Sequence, residues 1–113
     1  MPILVKSGTK SSSLFQALID SGSDRNLFPA EFGEQIGLKV KKGIRAPIDG
    51  IGGVRIQAYT HKVYISIENY EFLVSVDFSY EQEMPLLGRL GFFDQFRSIE
   101  FRERRKIIEF TVS

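Results

Sequence analysis

The chain lacks cysteine altogether and has a single histidine, His61, among its 113 residues. Without cysteine it cannot form a disulfide, a thiolate metal site or a cysteine nucleophile. One histidine leaves too few of the ligands that zinc prefers, which argues against a zinc enzyme. A Ser-His-Asp hydrolase is also a poor fit, because His61 lies in the middle of a strand pattern and no nucleophile elbow is present.

The sequence also lacks an excess of either charge. Fifteen Lys and Arg residues face fourteen Asp and Glu residues, so the formal net charge is +1. Such a balance provides no global field that would attract nucleic acid or a membrane surface. No apolar run approaches the length of a membrane span, and no charged-then-apolar leader opens the chain. We therefore expect a cytoplasmic protein without nucleic-acid or membrane partners, although a domain released from a longer precursor would look the same.

What is present predicts one mostly-β domain over residues 1–113. A hydrophobic fraction of 42% with ten Phe is enough for one modest core, which oligomerisation would help to stabilise. Alternation of apolar and polar residues predicts a β-hairpin over residues 56–76, and a second alternation over residues 99–112 surrounds a basic tip. Residues 3–6 suit a terminal edge strand. Pro29 is expected to begin a short helix that Gly37 ends, and a second helix of one or two turns is expected at residues 89–96.

The most informative stretch is residues 17–23, Ala-Leu-Ile-Asp-Ser-Gly-Ser. Three apolar residues deliver one carboxylate, Asp20, to a chain reversal at Ser21 and Gly22. A carboxylate after an apolar run is costly to bury unless it is hydrogen-bonded or shares a proton. Gly22 has no Cβ, so its backbone can approach Asp20 and offer its N–H group, and the Ser21 hydroxyl can donate and accept. A strand that ends in an ordinary Asx-type turn has the same composition.

Two further stretches narrow the interpretation. Residues 49–54, Asp-Gly-Ile-Gly-Gly-Val, have the glycines of a phosphate-binding loop, but a strand pattern follows where such a loop requires a helix. They fit better as a flexible hairpin tip that can approach a ligand closely, or as an ordinary glycine-rich turn. Residues 86–89, Leu-Leu-Gly-Arg, form by themselves only a strand-to-helix corner.

In this order, the three stretches resemble the retropepsin-like aspartic proteases, the retroviral type and its cellular relatives. The resemblance covers about residues 14–96. It implies an all-β, single-domain, closed β-barrel-like fold with one or two short helices. It also implies an aspartic endopeptidase that is active as a homodimer, with one catalytic aspartate from each chain, a peptide or protein substrate, and no cofactor or metal.

Carried over by this resemblance, Asp20 is the expected catalytic aspartate. Ser21 is similar to the Thr or Ser whose hydroxyl bonds across to the partner chain, and Gly22 to the glycine whose amide supports the carboxylate. Ser23 completes the support and stands where many retroviral members have Ala. The tail after Phe96 is longer than the single terminal strand of those members.

The resemblance also assigns residues outside this segment. The expected flap tip, with the Ile51 amide holding a water against the substrate, consists of Gly50, Ile51, Gly52 and Gly53. Asp24 and Arg89 are similar to a structural ion pair beside the cleft. The Leu-Leu-Gly element is expected to pack beneath the active-site loop.

A catalytically silent peptide-binding or dimerisation module on the same scaffold is the main alternative. Such a module would keep the flap and the Leu-Leu-Gly corner but would not need Asp20 with its Ser-Gly support. The intact Asp-Ser-Gly triplet therefore favours the enzyme.

Overall fold

The computed structural model describes residues 1–20, 22–49, 53–68 and 70–88, and, as backbone only, residues 96–102 and 107–112. Strands dominate this part of the chain, which confirms the expected all-β class. Its helical elements are the helix α1 (Ala30–Gln35) and a 3₁₀ turn (Val40–Lys42). The strands are β1 (Pro2–Ser7), β2 (Lys10–Ser11), β3 (Phe15–Gln16), β4 (Leu18–Ile19), β5 (Asn26–Pro29), β6 (Ile44–Arg45), β7 (Ile48–Asp49), β8 (Arg55–Ile56), β9 (Tyr59–Ile67), β10 (Tyr70–Ser79), β11 (Leu86–Leu87), β12 (Phe96–Arg102) and β13 (Ile107–Val112).

The long hairpin of β9 and β10 is the centre of the main sheet. Its strands pair antiparallel with Val63 opposite Val74, close to the hairpin predicted from the alternation. Both of these valines are buried, as the period of two requires for one face against a core. The sheet has the order β2-β1-β9-β10-β5-β11-β4, with β3 also on β1 and β6 also on β9. Strand β5 runs parallel to β10, which brings the chain just after Asp20 next to the centre of the sheet.

Two expectations about this sheet are wrong. Strand β1 is not an edge strand, because it pairs with β9 on one side and with β2 and β3 on the other. Its Ile3 and Val5 are fully buried. An interior position keeps these apolar side chains out of water and pairs the backbone of β1 on both sides. The sheet is also not a closed barrel in the described residues. Strand β3 pairs with β1, whereas strand β4 pairs with β11, so the pairing partner changes at Ala17 and the ladder is interrupted there.

Aromatic rings form the middle of the core. Phe28 and Phe78 are fully buried with ring centroids 6.2 Å apart, and Phe15 meets Phe28 edge-on at 5.3 Å. Helix α1 packs closely against this cluster. A Cβ on its Gly33 would be only 3.1 Å from the Phe78 ring, so glycine allows this close approach. The helix ends as predicted, with Gly37 at a φ of +82°. It starts one residue later than expected because Pro29 still belongs to β5.

The end of the described chain is a separate two-stranded sheet of β12 and β13. Its antiparallel register runs from Phe96 opposite Val112 to Arg102 opposite Ile107, which confirms the predicted terminal hairpin. The basic tip at residues 103–106 and most of the second expected helix, residues 89–95, lie outside the described residues. Among the helices of the described part, none has both the length and the apolar character to cross a membrane.

Candidate active site

Asp20 is the first residue after β4 and is held in place by backbone hydrogen bonds. Its amide donates to the Leu87 carbonyl at 3.0 Å, and its own carbonyl accepts from the Ser23 amide at 3.1 Å. The Gly22 amide donates to the Asp20 carboxylate oxygen Oδ1 at 2.9 Å, as the sequence predicts for a residue without Cβ. A Cβ on Gly22 would lie 3.2 Å from that oxygen, so a side chain there would crowd the carboxylate. The carboxylate itself is exposed on the single chain.

Two further predicted site residues, Ser23 and Asp24, follow Asp20 in the same segment. The Ser23 hydroxyl donates to the Arg25 carbonyl at 2.8 Å and thereby tightens the loop that follows Asp20. Asp24 is exposed. Ser21 and Arg89 lie outside the described residues, so the Ser21 contact across a dyad and the ion pair of Asp24 with Arg89 stay predictions.

The Leu-Leu-Gly element lies beneath this loop, which we define as the Asp20 loop, residues 20–25. Strand β11 lies between β4, to which it is parallel, and β5, to which it is antiparallel. The Gly88 amide then donates to Oδ1 of the fully buried Asn26 at 3.0 Å. A Cβ on Gly88 would lie 2.3 Å from the Arg25 carbonyl oxygen, so only glycine fits at this crossing.

An ion pair that was not predicted holds the far end of the Asp20 loop. Arg25 donates through Nε to Asp77 Oδ2 at 2.7 Å and through Nη2 to Asp77 Oδ1 at 2.9 Å, a two-pronged arrangement. The Thr60 hydroxyl donates to the same Oδ1 at 2.5 Å. The hydrogen bond and charge of Asp77 raise the pKa of the Arg25 guanidinium, against the opposite effect of desolvation. Arg25 therefore stays protonated at every ordinary pH.

The sequence did contain a signal for this pair. Asp77 lies between Val76 and Phe78, and all three side chains are fully buried on β10. A carboxylate inside an apolar strand requires a cation or several hydrogen-bond donors. The pattern thus predicts a partner for Asp77, but it does not say that the partner is Arg25, which is 52 residues away.

A hairpin of β7 and β8 carries the expected flap tip. Asp49 and Arg55 are opposite each other in the ladder, and Arg55 Nε donates to Asp49 Oδ1 at 2.9 Å. Both side chains are more than half exposed, so we expect this pair to stabilise the hairpin by no more than about 1 kcal/mol. Gly53 has a φ of +77°, and a Cβ built on it would have no atom of the described residues within 4 Å. The other three residues of the predicted tip, Gly50, Ile51 and Gly52, lie outside the described residues.

Partly exposed apolar side chains lie on the two paired strands, β4 and β11, next to Asp20 in the fold. Leu18 on β4 is 55% exposed, and its Cα partner on β11 is the half-buried Leu86. Met84 is close to them in sequence and is 49% exposed. Exposed apolar residues on paired strands beside a carboxylate are typical of a binding surface for a ligand with apolar groups.

His61 has a structural environment and no catalytic one. Its Nε2 lies 2.8 Å from the Val40 carbonyl oxygen, and its ring meets Phe78 edge-on at 6.0 Å. A Cβ on Gly43 would lie 2.5 Å from the same nitrogen, so the Gly43 backbone packs directly against this half-buried histidine. Within the described ranges, no group of three or more His, Asp or Glu side chains is arranged to hold a metal ion.

Comparison with known proteins gives a likeness of fold. No protein-family model matches the sequence, and no curated protein matches it. Among solved structures, the chain is similar to EIAV protease complexed with the inhibitor HBY-793, with a TM-score of 0.56 and 16% sequence identity. The alignment covers 79% of this chain and 79% of that one. At this low identity the likeness establishes a shared fold, that of a retroviral protease.

Proposed function

We propose that this chain is one subunit of a homodimeric aspartic endopeptidase of the retropepsin type, in which Asp20 of each subunit is catalytic. The observation that carries the proposal is the setting of Asp20. It follows a strand, its carboxylate accepts the Gly22 amide at 2.9 Å, and its backbone rests on Leu87 of the Leu-Leu-Gly element. A fold like that of a retroviral protease supports the same assignment.

The proposed reaction needs two carboxylates in one site. Two such groups in contact cannot both ionise cheaply, so they share one proton near neutral pH, as is known for aspartic proteases. The ionised carboxylate takes a proton from water, and the resulting nucleophile attacks the peptide carbonyl carbon. The protonated carboxylate donates its proton to the carbonyl oxygen. As the C–N bond breaks, the proton taken from water passes to the leaving amine, and a hydroxyl of the tetrahedral intermediate returns its proton to the other carboxylate. The two carboxylates carry out all of these proton transfers, so this reaction requires no metal and no organic cofactor.

Homodimerisation follows from the number of such carboxylates. The chain has one Asp-Ser-Gly triplet, so symmetry has to supply the second catalytic aspartate. The exposure of Asp20 on the single chain is compatible with this, because a carboxylate at the surface can be met by its symmetry mate. We propose that Ser21 and Ser23 complete the support of the pair.

The proposed substrate is an extended segment of peptide or protein. Its apolar side chains would contact Leu18 and Leu86, which flank Asp20 on paired strands. We propose that the flap tip, residues 50–53, closes over the bound peptide. We also propose that the protein acts on such substrates in the cytoplasm.

The test is peptide hydrolysis by the wild-type chain and by Asp20→Asn. The amide keeps the shape of the side chain but cannot act as a general base, so we expect the rate to fall by at least about 10²-fold. Cleavage of a peptide mixture, read by mass spectrometry, gives the rate, and circular dichroism and sedimentation show that the variant folds and dimerises. Glu71→Gln, an equally small change on the exposed Lys6–Glu71 pair, is the matched control and should cleave like the wild type.

Two results would contradict the assignment. Cleavage by Asp20→Asn at the wild-type rate would mean that Asp20 is not catalytic. A wild-type chain that sediments as a dimer, binds peptides and cleaves none of them would instead be the catalytically silent binding module.

A further inference from the structure

The ion pair of Asp77 with Arg25 is unusual in its burial and in its place. Asp77 is fully buried, whereas the Arg25 side chain is 45% exposed and reaches in from the Asp20 loop. Taking a carboxylate out of water carries a penalty comparable with the gain from its partners. An apolar residue between Val76 and Phe78 would avoid that cost. We therefore expect the pair to add little net stability and to act through the one geometry that it selects.

That geometry concerns the backbone of Arg25. The guanidinium fork can meet both Asp77 oxygens in one orientation, so the position of Arg25 is fixed relative to β10. The Arg25 carbonyl accepts the Ser23 hydroxyl at 2.8 Å, and the backbone around it is in close contact with Gly88. The opposite end of the loop is held by the bond from the Asp20 amide to Leu87. The Asp20 loop is thus held by hydrogen bonds at both ends, and the Arg25–Asp77 ion pair holds the end that is farther from Asp20.

We propose that Asp77 is a positioning residue for catalysis, acting through Arg25 to hold the Asp20 loop and so the Asp20 carboxylate in its reactive place. Thr60 assists, because its hydroxyl donates to Asp77 Oδ1 while it accepts Arg25 Nη2 at 3.2 Å. The inference rests on the proposed function, since it assigns a role within that active site. It predicts an effect on turnover that exceeds any effect on substrate binding, because the pair orients the catalytic group.

Two variants test the fork directly. Arg25→Lys keeps the charge but cannot form the two parallel hydrogen bonds, and Asp77→Asn keeps the shape but offers one acceptor oxygen in place of two. Since a displacement of about 1 Å in a catalytic group can cost 10²-fold, we expect kcat to fall roughly 10- to 100-fold while KM changes less than about threefold. Glu71→Gln, on the exposed pair with Lys6, is again the matched control and should leave kcat unchanged.

A double variant separates position from stability. Replacing the pair with apolar residues of similar size, Arg25→Met with Asp77→Leu, removes the buried charge together with its partner, which often leaves stability unchanged. We expect its thermal midpoint to return towards that of the wild type while kcat stays low. Recovery of kcat together with stability would mean that the pair is merely structural, and it would overturn the proposal.

Amide hydrogen exchange provides a readout that does not depend on activity. In Arg25→Lys, we expect exchange at the Ser23 amide, which bonds to the Asp20 carbonyl, to accelerate at least about tenfold. The amides of Val63 and Ile65 in the centre of β9 should follow only the change in global stability. If the wild type cleaves peptides and both single variants match its kcat and Ser23 exchange, the positioning role is wrong and the protease assignment stands. If the wild type cleaves nothing, the protease assignment fails, and unchanged Ser23 exchange would separately refute the fastening of the loop.

Discussion

Replacing Gly88 with alanine would test the contact between β11 and the Asp20 loop. The added Cβ would lie 2.3 Å from the Arg25 carbonyl oxygen, whereas ordinary contacts begin at 3.4 Å, so something has to move by about 1.1 Å. The same Cβ would lie 2.6 Å from the Arg25 carbonyl carbon and 2.8 Å from its nitrogen. All three atoms are backbone, so no flexible side chain can absorb the displacement.

The cost of this substitution has two parts. Overpacking of a dense interior costs about 1–3 kcal/mol. Moving Gly88 also strains its buried hydrogen bond to Asn26, and a buried acceptor left without its donor costs about 1–3 kcal/mol. Since the bond is strained and not abolished, we expect a total near 2–4 kcal/mol. For a domain of this size, about 4 °C of melting temperature is lost per kcal/mol, so the midpoint should fall by roughly 8–16 °C.

Thermal unfolding followed by circular dichroism measures this shift, with Gly8→Ala as the control. Gly8 has a φ of +60° and nothing within 4 Å of a built Cβ, so its substitution adds backbone strain of about 1–2 kcal/mol without a clash. A midpoint for Gly88→Ala no lower than that of Gly8→Ala would refute the reasoning, because it would mean that β11 does not press on the Arg25 backbone. We also expect the proposed peptidase activity to fall further than stability explains, since the displaced atoms belong to the Asp20 loop.

Three further predictions follow from the proposed function. Specific activity should fall on dilution because the site requires two chains, and constant specific activity from a sedimenting monomer would contradict this. Gly53→Val should slow turnover more than it lowers the melting temperature, because a β-branched residue at a φ of +77° restricts the flap. Lower stability with unchanged kcat would mean that residues 50–53 are a structural turn and not a flap. A double-mutant cycle of Asp24→Ala and Arg89→Ala, read by stability and dimer dissociation, should give a coupling above the roughly 1 kcal/mol of exposed pairs. Strict additivity there would mean that the two residues do not meet.

Much of the strand content was predictable because it depends on local periodicity. The alternation through Val63 and Ile65 predicts the β9–β10 hairpin, since a strand with one buried face has a period of two. Gly37 predicts the end of α1 because a residue with positive φ commonly follows a helix. The hydrogen bond from the Gly22 amide to Asp20 was predictable because it is also local, joining residues two apart in the chain.

The neighbours of each strand were not predictable from such patterns. Residues 2–7 are apolar enough for a strand, but nothing local distinguishes an edge position from the interior one that β1 occupies. Strands β3, β4 and β11 have two residues each, too few for a period to be read. The open ladder at Ala17 depends on these short strands, so the sequence could not exclude the closed barrel that the resemblance implies.

The sequence by itself determined which functional groups are available. It has one Asp-Ser-Gly triplet, no cysteine, one histidine, and glycines where the backbone needs space. The order of three short motifs also indicated a protease-like fold. Only the tertiary structure decided that Arg25 meets Asp77 and that Gly88 passes beneath Arg25. The physical reason is range: dihedral preferences and burial patterns act between near neighbours, whereas these contacts join residues more than fifty positions apart. Such contacts form only when the whole sheet has brought the two segments together.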